Sequence, residues 1–368
     1  MFTHLPLFFC PSSRPRSHLK FFAAVLLLIL CGCSAAPSLP PAPESGKIGR
    51  DSLYRTVVAL AAEGGNLGRF RALQGRIDEL GLTHLARTEP IDWFSLQNNL
   101  LIEVPGTTPR IVYLTAHYDK TDANPLKFLS LLLNGALDEF ISWSFLSQGA
   151  IDNATGVAVA LELAAALSES PPGPFTYRIL FPGAEESGMR GSRAHVARLS
   201  KQEKERILIA VNIDSVGVAF SPNCVTTGIS DEELVEQVGT LADSLGVYLG
   251  QEPFSPGLSS DYVPFQSASF SEDLLLGLET NLVGGLLPQR SWFTSSHELP
   301  VLNFSACNLF DGKDYLAYVL HVPFGRLHGP RDNLQQVDLA RLHEQFNIGY
   351  FLLRSWEEDP SLIDSSRY

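Results

Sequence analysis

The chain has 368 residues, 45% hydrophobic and 18% charged, a composition too apolar for disorder and too interrupted for a multi-span membrane protein. Forty acidic against 27 basic side chains give a formal charge of −13, which speaks against a phosphate-neutralising surface and so against nucleic acid as a partner. The length allows two ordinary domains or one large α/β domain with insertions.

Arg14, Arg16 and Lys20 precede an apolar run over residues 21–30, which ends in Leu30-Cys31-Gly32-Cys33. Ten apolar residues are about half of what a spanning helix needs, so residues 1–32 read as a targeting segment outside the fold. A basic stretch, a short apolar core and Leu-x-Gly-Cys resemble the lipobox of bacterial lipoproteins. The resemblance implies cleavage before Cys33, a diacylglyceryl thioether on its sulfur, and an exported protein anchored to a membrane by lipid. Ser34 follows rather than Asp, which favours the outer membrane in a cell that has one. The alternative is a plain signal peptide cut near Ala36. Loss of residues 1–32 removes three basic and no acidic side chains and takes the charge from −13 to −16. Residues 33–50, with Pro37, Pro40, Pro41 and Pro43, read as an extended tether.

Residues 51–360 read as one folded domain. Leu53, Val57, Leu60, Phe70, Leu73 and Leu80 predict one or two opening helices. Residues 99–104 and 111–116 read as a strand pair around the Gly106 turn. A long Ala/Leu/Val helix follows over 155–167, then a strand at 175–181, a helix at 191–199, a buried strand at 207–213, a strand-like stretch at 300–304 and a last helix over 337–355. Strands interleaved with helices predict an α/β fold, a three-layer α/β/α sandwich around a mixed central sheet. Cys224 and Cys307 are the cysteines left outside the targeting segment. They either pair in an oxidising compartment or stay as two buried thiols, and neither has a Cys or His neighbour at zinc spacing.

The chemistry lies at strand ends, where such sheets bind ligands. The strand at 111–116 delivers His117 and Asp119, the strand at 175–181 delivers Glu185 and Glu186, and the strand at 207–213 delivers Asp214. Asp152 stands ahead of the long helix, and His328 and Asp332 ahead of the last one. Two imidazoles and at least three carboxylates exceed what one zinc needs and suit a carboxylate-bridged pair of ions roughly 3.5–4 Å apart. Taken singly, Asp152 is equally a helix cap and the two glutamates solvated loop charges.

Taken in order, the motifs HYD, DN-x-T-GV, AEE-x-G-x-x-GS, N-x-D-x-VG, SDY-x-PF and H-x-P-x-D resemble the zinc-dependent aminopeptidase family that includes bacterial leucyl aminopeptidase, aminopeptidase Y and glutamate carboxypeptidase. The resemblance covers about residues 52–356. It implies two zinc ions per chain, peptide substrates, and hydrolysis of the N-terminal peptide bond by a bridging water. It puts the bridging role on Asp152, with His117 and Asp214 on one zinc, Glu186 and His328 on the other, and Glu185 as the general base. Asp119 is placed to orient His117, and Asp332 to orient His328. Tyr262 is a candidate substrate or oxyanion contact, although Ser260-Asp261-Tyr262 departs from the Ser-Asp-His that family members often show. Leu327 stands where some members carry Tyr directly before the last His.

Two insertions, at about 121–148 and 269–297, lengthen the chain. The first reads as a helical flap over the site or an extra surface helix, and the second holds Trp292, Phe293 and His297. Two other readings stay open. One is a glutaminyl cyclase-like enzyme of the same fold with a single zinc; the other is a catalytically inactive binding protein.

Overall fold

A computed structural model describes residues 49–93, 95–122, 146–255, 259–266, 299–310, 312–319 and 324–363. Cys33, the lipobox and nearly all of the tether lie outside the described residues, as do 123–145 of the first insertion and all of the second.

The strands are β1 Ala86–Pro90, β2 Asn98–Val104, β3 Ile111–Thr115, β4 Thr176–Phe181, β5 Ile207–Ile213, β6 Asn223–Thr227, β7 Gly250–Pro253 and β8 Val301–Ala306. They form one mixed sheet in the order β1-β2-β4-β3-β5-β8-β6-β7. β4, β3, β5 and β8 run parallel through its middle. β2 and β6 flank them antiparallel, and β7 joins β6 in parallel. Among the described residues, the helices of eight residues or more are α1 Arg50–Ala61, α2 Asn66–Glu79, α3 Thr155–Glu169, α4 Arg190–Arg198, α5 Glu232–Ser244, α6 Gly312–Val319 and α7 Leu339–Glu358.

The inner strands are covered on both faces, which is why apolar residues occupy successive positions in them. In β3, Val112 and Leu114 face one core while Ile111 and Tyr113 face the other. The larger core takes Leu53 and Leu60 of α1, Leu73 of α2, Val238 of α5 and Phe346 and Trp356 of α7. The smaller one takes Val196 of α4 with Val263 and Phe265. Helices thus lie on both sides of the sheet, giving the α/β sandwich expected from the sequence. Ala150–Glu169 is long and apolar enough to cross a membrane, but its residues 150–167 are all buried against the sheet and the helices of the larger core.

One expectation about the strands is corrected. Residues 99–104 and 111–116 do not pair with each other, because β4 lies between them. The Gly106 turn instead abuts the start of β4, so closely that a Cβ on Gly106 would stand 2.1 Å from the Phe175 carbonyl oxygen. β1 and β7 were not anticipated: both are short, polar and end in proline, as edge strands do, and carry no apolar alternation. Of the two alternatives for the cysteines the structure has the bond: Cys224 on β6 and Cys307 after β8 form a disulfide, with Cα atoms 5.2 Å apart.

Glu162 is the one charge within the buried stretch of α3. Ser52 Oγ donates to its Oε1 at 2.5 Å, and Arg76 Nη2 donates to the Ser52 hydroxyl at 3.0 Å. Burial lifts the Glu162 carboxyl from 4.5 to about 7, against the pull of Ser52 and Arg76. A carboxyl that holds its proton more tightly in the folded chain stabilises the fold fully below pH 4.5 and loses that contribution as pH rises through about 7. A shift of that size amounts to about 3 kcal/mol. The Tm of Glu162→Gln is therefore expected to fall less than that of the parent between about pH 5 and 8. Equal slopes in the two melting series would contradict this.

Candidate metal centre

The carboxyl ends of the parallel strands open onto one cleft. His117, 1% exposed, follows β3 after Ala116, while Asp214 directly follows β5. Glu185 and Glu186 follow β4 after Ala184, and Asp152 sits in the turn Ala150–Ala154 that leads into α3. His328 lies in the loop before α7. Ala184 (φ 54), Ser215 (φ 60) and His328 (φ 58) adopt the left-handed region that side chains other than glycine seldom enter. Such backbone concentrates where a fold over-determines a functional geometry.

Asp152 is the centre of the arrangement. Its Oδ1 lies 3.2 Å from His117 Nε2 and its Oδ2 3.1 Å from His328 Nε2. Asp214 Oδ1 stands 3.6 Å from the same His117 nitrogen, and Glu186 Oε1 stands 3.1 Å from His328 Nε2. Two donor triads result, His117–Asp152–Asp214 and Asp152–Glu186–His328, and they share Asp152. Ligand atoms about 2.0–2.1 Å from a tetrahedral zinc stand about 3.3 Å from one another, so the spacing, the donor types and the burial fit that ion in both triads. Burial pushes Asp152 up, but hydrogen bonds from both imidazoles outweigh it and hold the carboxyl well below its usual range.

Glu185 lines the cleft without belonging to either triad. Burial raises its carboxyl well above the ordinary value, with Asp261, Glu186 and Asp214 adding to the shift and His117 opposing it. None of the cleft's described lining residues is Lys or Arg. So many buried carboxylates without a cationic side chain among them call for a cation.

The supporting residues show what sequence spacing did and did not foresee. Asp119 lies where it can orient His117: the imidazole Nδ1 is 3.2 Å from its carbonyl oxygen and 3.5 Å from its carboxylate. That carboxylate also accepts the amide N–H groups of Glu185 (3.1 Å) and Glu186 (3.3 Å), fixing both glutamates relative to His117. Asp332 differs from expectation. Its carboxylate accepts from Ser147 Oγ and the Ile151 N–H, both at 2.7 Å, and so supports the turn bearing Asp152 rather than the His328 ring. The physical reason is that the Gln148 N–H donates to the Asp332 carbonyl at 2.9 Å, which brings the two loops together.

Among the other positioning residues, Arg69 carries no motif signal, whereas Asn153, Gly156 and Ser260 fall within the motifs quoted above. Arg69 of α2, fully buried, donates to the carbonyls of Tyr118 (2.5 Å), Gln148 (3.0 Å) and Gly149 (3.1 Å), tying the His117 loop to the Asp152 loop. Asn153 donates to the Ile213 carbonyl at 2.9 Å and accepts the Ser215 N–H at 3.1 Å, so Asp152 and Asp214 move as one unit. Gly156 permits this approach, since a Cβ there would stand 2.3 Å from Asn153 Oδ1 and from the Ile213 carbonyl. Ser260 donates to Asp214 Oδ2 at 2.7 Å, which gives the departing Ser-Asp-Tyr loop a definite contact. Tyr262 lines the cleft with its ring buried, and burial raises its hydroxyl so that it stays protonated. Tyr318 of α6 also lines the cleft, its ring 5.1 Å from that of His328. Nothing in its spacing connects it to His328.

The profile of Peptidase family M28 matches residues 99–348, a stretch that carries every member of both triads. The chain belongs to Peptidase family M28. Among curated proteins it is similar to Aminopeptidase YwaD of Bacillus subtilis, 34% identical over 178 residues, which cover 47% of this chain and 33% of that one. The chain thus spans about a third of the length of this relative. Among solved structures, LapB from Legionella pneumophila superposes with a TM-score of 0.59 at 16% identity, over 93% of this chain and 83% of that one. A glutaminyl cyclase of Porphyromonas gingivalis superposes with a TM-score of 0.57 at 17% identity, over 84% and 99%. Both likenesses are in fold, and they do not separate M28 peptidase chemistry from cyclase chemistry.

Proposed function

We propose that the chain is a two-zinc aminopeptidase that removes the N-terminal residue of peptides. The observation that carries this reading is Asp152, whose two oxygens face two separate histidines, each with a further carboxylate of its own. His117, Asp152 and Asp214 would hold one ion, and Asp152, Glu186 and His328 the other. Zinc bound there supplies Lewis acidity, which makes a water acidic and polarises the scissile carbonyl. Glu185 takes the proton as the water oxygen bonds to the carbonyl carbon and delivers it to the leaving amine as the C–N bond breaks. The Tyr318 hydroxyl, kept protonated by burial and by the carboxylates around it, donates to the carbonyl oxygen as charge develops there. Tyr318→Phe is expected to lower kcat by about tenfold or more with KM little changed, since such a donor acts mainly in the transition state. An unchanged kcat would remove Tyr318 from the mechanism.

The retention of all five donors supports an enzyme over an inactive binding protein. The cyclase alternative is separated from the peptidase by product. The zinc-loaded protein, given a peptide that begins with glutamine, is expected to release free glutamine and a peptide one residue shorter. Loss of ammonia with retention of a pyroglutamyl end would refute the peptidase reading.

The N-terminal segment supports a lipid anchor on Cys33, with the tether carrying residues 51–360 off the membrane as one exported domain. Expressed in a bacterium, Cys33→Ser is expected to move the protein from the detergent phase to the aqueous phase. Unchanged partitioning would end the lipoprotein reading.

A further inference from the structure

The cleft extends beyond the two donor triads, and its floor there is a row of polar side chains running across the sheet. Asn212 on β5 sits beside Asn303 on β8, and Thr226 on β6 sits beside Glu252 on β7. Hydrogen bonds join the two pairs into one row. Asn212 Nδ2 donates to Asn303 Oδ1 at 2.8 Å, and Asn303 Nδ2 donates to Thr226 Oγ1 at 2.9 Å. Residues paired laterally share a face of the sheet, and Asp214, two positions beyond Asn212, lies in the same sense. The row therefore leads from the metal centre to a carboxylate on the edge strand.

Thr226, Glu252 and Asn303 all line the cleft, and Phe254, Leu309 and Phe310 supply apolar walls. Glu252 is half-buried, and one of its oxygens accepts the Asn308 N–H at 2.7 Å, which fixes its direction. Among the described lining residues it is the one acid outside the triads and Glu185, and no lining cation answers it. Three strand spacings of about 4.8 Å put β7 roughly 14 Å from β5. Leucine or methionine held at the metal centre would fall short of Glu252. An extended arginine or lysine, with its charge about 6–7 Å from Cα, can lay its aliphatic stem along the apolar walls and bring the cation to the carboxylate.

We propose that Glu252 is a specificity-determining residue that selects a cationic side chain, arginine or lysine, at the N-terminal position of the substrate. This rests on the aminopeptidase reading above. Arginine and citrulline 4-nitroanilides differ in charge but scarcely in shape, so their ratio of kcat/KM isolates the carboxylate. The parent protein is expected to prefer arginine by about tenfold or more, and Glu252→Gln to bring that ratio close to one. Equal rates on the two in the parent, or a preference that survives in Glu252→Gln, would overturn the subsite and leave the aminopeptidase reading standing. If neither nitroanilide is cleaved, nor any other aminoacyl derivative, it is the aminopeptidase reading that fails. Calorimetry with argininamide and citrullinamide then decides the subsite. Tighter binding of argininamide that is lost in Glu252→Gln upholds it, and equal binding of the two overturns it.

Discussion

Glu185→Gln is expected to keep the zinc content of the parent and to lower turnover by roughly a hundredfold to ten-thousandfold, the usual cost of removing a general base. The substitution is nearly isosteric, and Glu185 stands outside both donor triads, so neither the fold nor the metal loses a contact. What disappears is the capacity to accept a proton, because an amide oxygen is a far weaker base than a carboxylate. Its neighbour provides the contrast. Glu186 belongs to the triad with Asp152 and His328, so Glu186→Gln trades a charged donor for a neutral one and should weaken zinc first. The Asp119 carboxylate holds the backbone of both residues, so the contrast compares two side chains on one fixed turn. Zinc content and single-turnover rates on the same preparations separate the cases. Near parental turnover in Glu185→Gln with zinc retained would eliminate the mechanism.

Asp152→Asn carries the second large effect. Both oxygens of Asp152 are committed, one toward each histidine, and an asparagine offers one neutral oxygen and an amide that repels a cation. The variant is expected to lose zinc from both triads, with a fall in affinity beyond the tenfold to hundredfold typical of an outer-shell partner. His328→Ala should weaken the triad it shares with Glu186 while His117 and Asp214 keep theirs. Metal analysis after gel filtration distinguishes the two variants. An Asp152→Asn protein that retains as much zinc as the parent would remove Asp152 from the shared position.

Much of the fold and the candidate residues of the site could be read from the chain because the physics is local there. β3 and β5 are mainly apolar and buried along their whole length, so the first ionisable residue after each, His117 and Asp214, stood out at a strand end. The paired glutamates were legible for the same reason, and Asp152 because it stands directly ahead of a long apolar helix. Features that depend on topology were not. The hairpin expected around Gly106 does not form because β4, more than sixty residues later in the chain, takes the place between β2 and β3. Arg69 acts on loops contributed by distant segments, and Asp332 turns to the Asp152 loop once the Gln148–Asp332 backbone bond has joined them. The Asn212–Asn303–Thr226–Glu252 row needs three strand registers before it exists at all. A disulfide between Cys224 and Cys307 likewise depends on β6 lying beside β8, which their separation of 83 positions does not reveal.

The number of zinc ions that aminopeptidase activity requires tests the shared Asp152 centre most directly. Metal-stripped protein, titrated with zinc while the hydrolysis of aminoacyl 4-nitroanilides is followed, is predicted to reach full activity at about two ions per chain. Full activity at one ion per chain would contradict it.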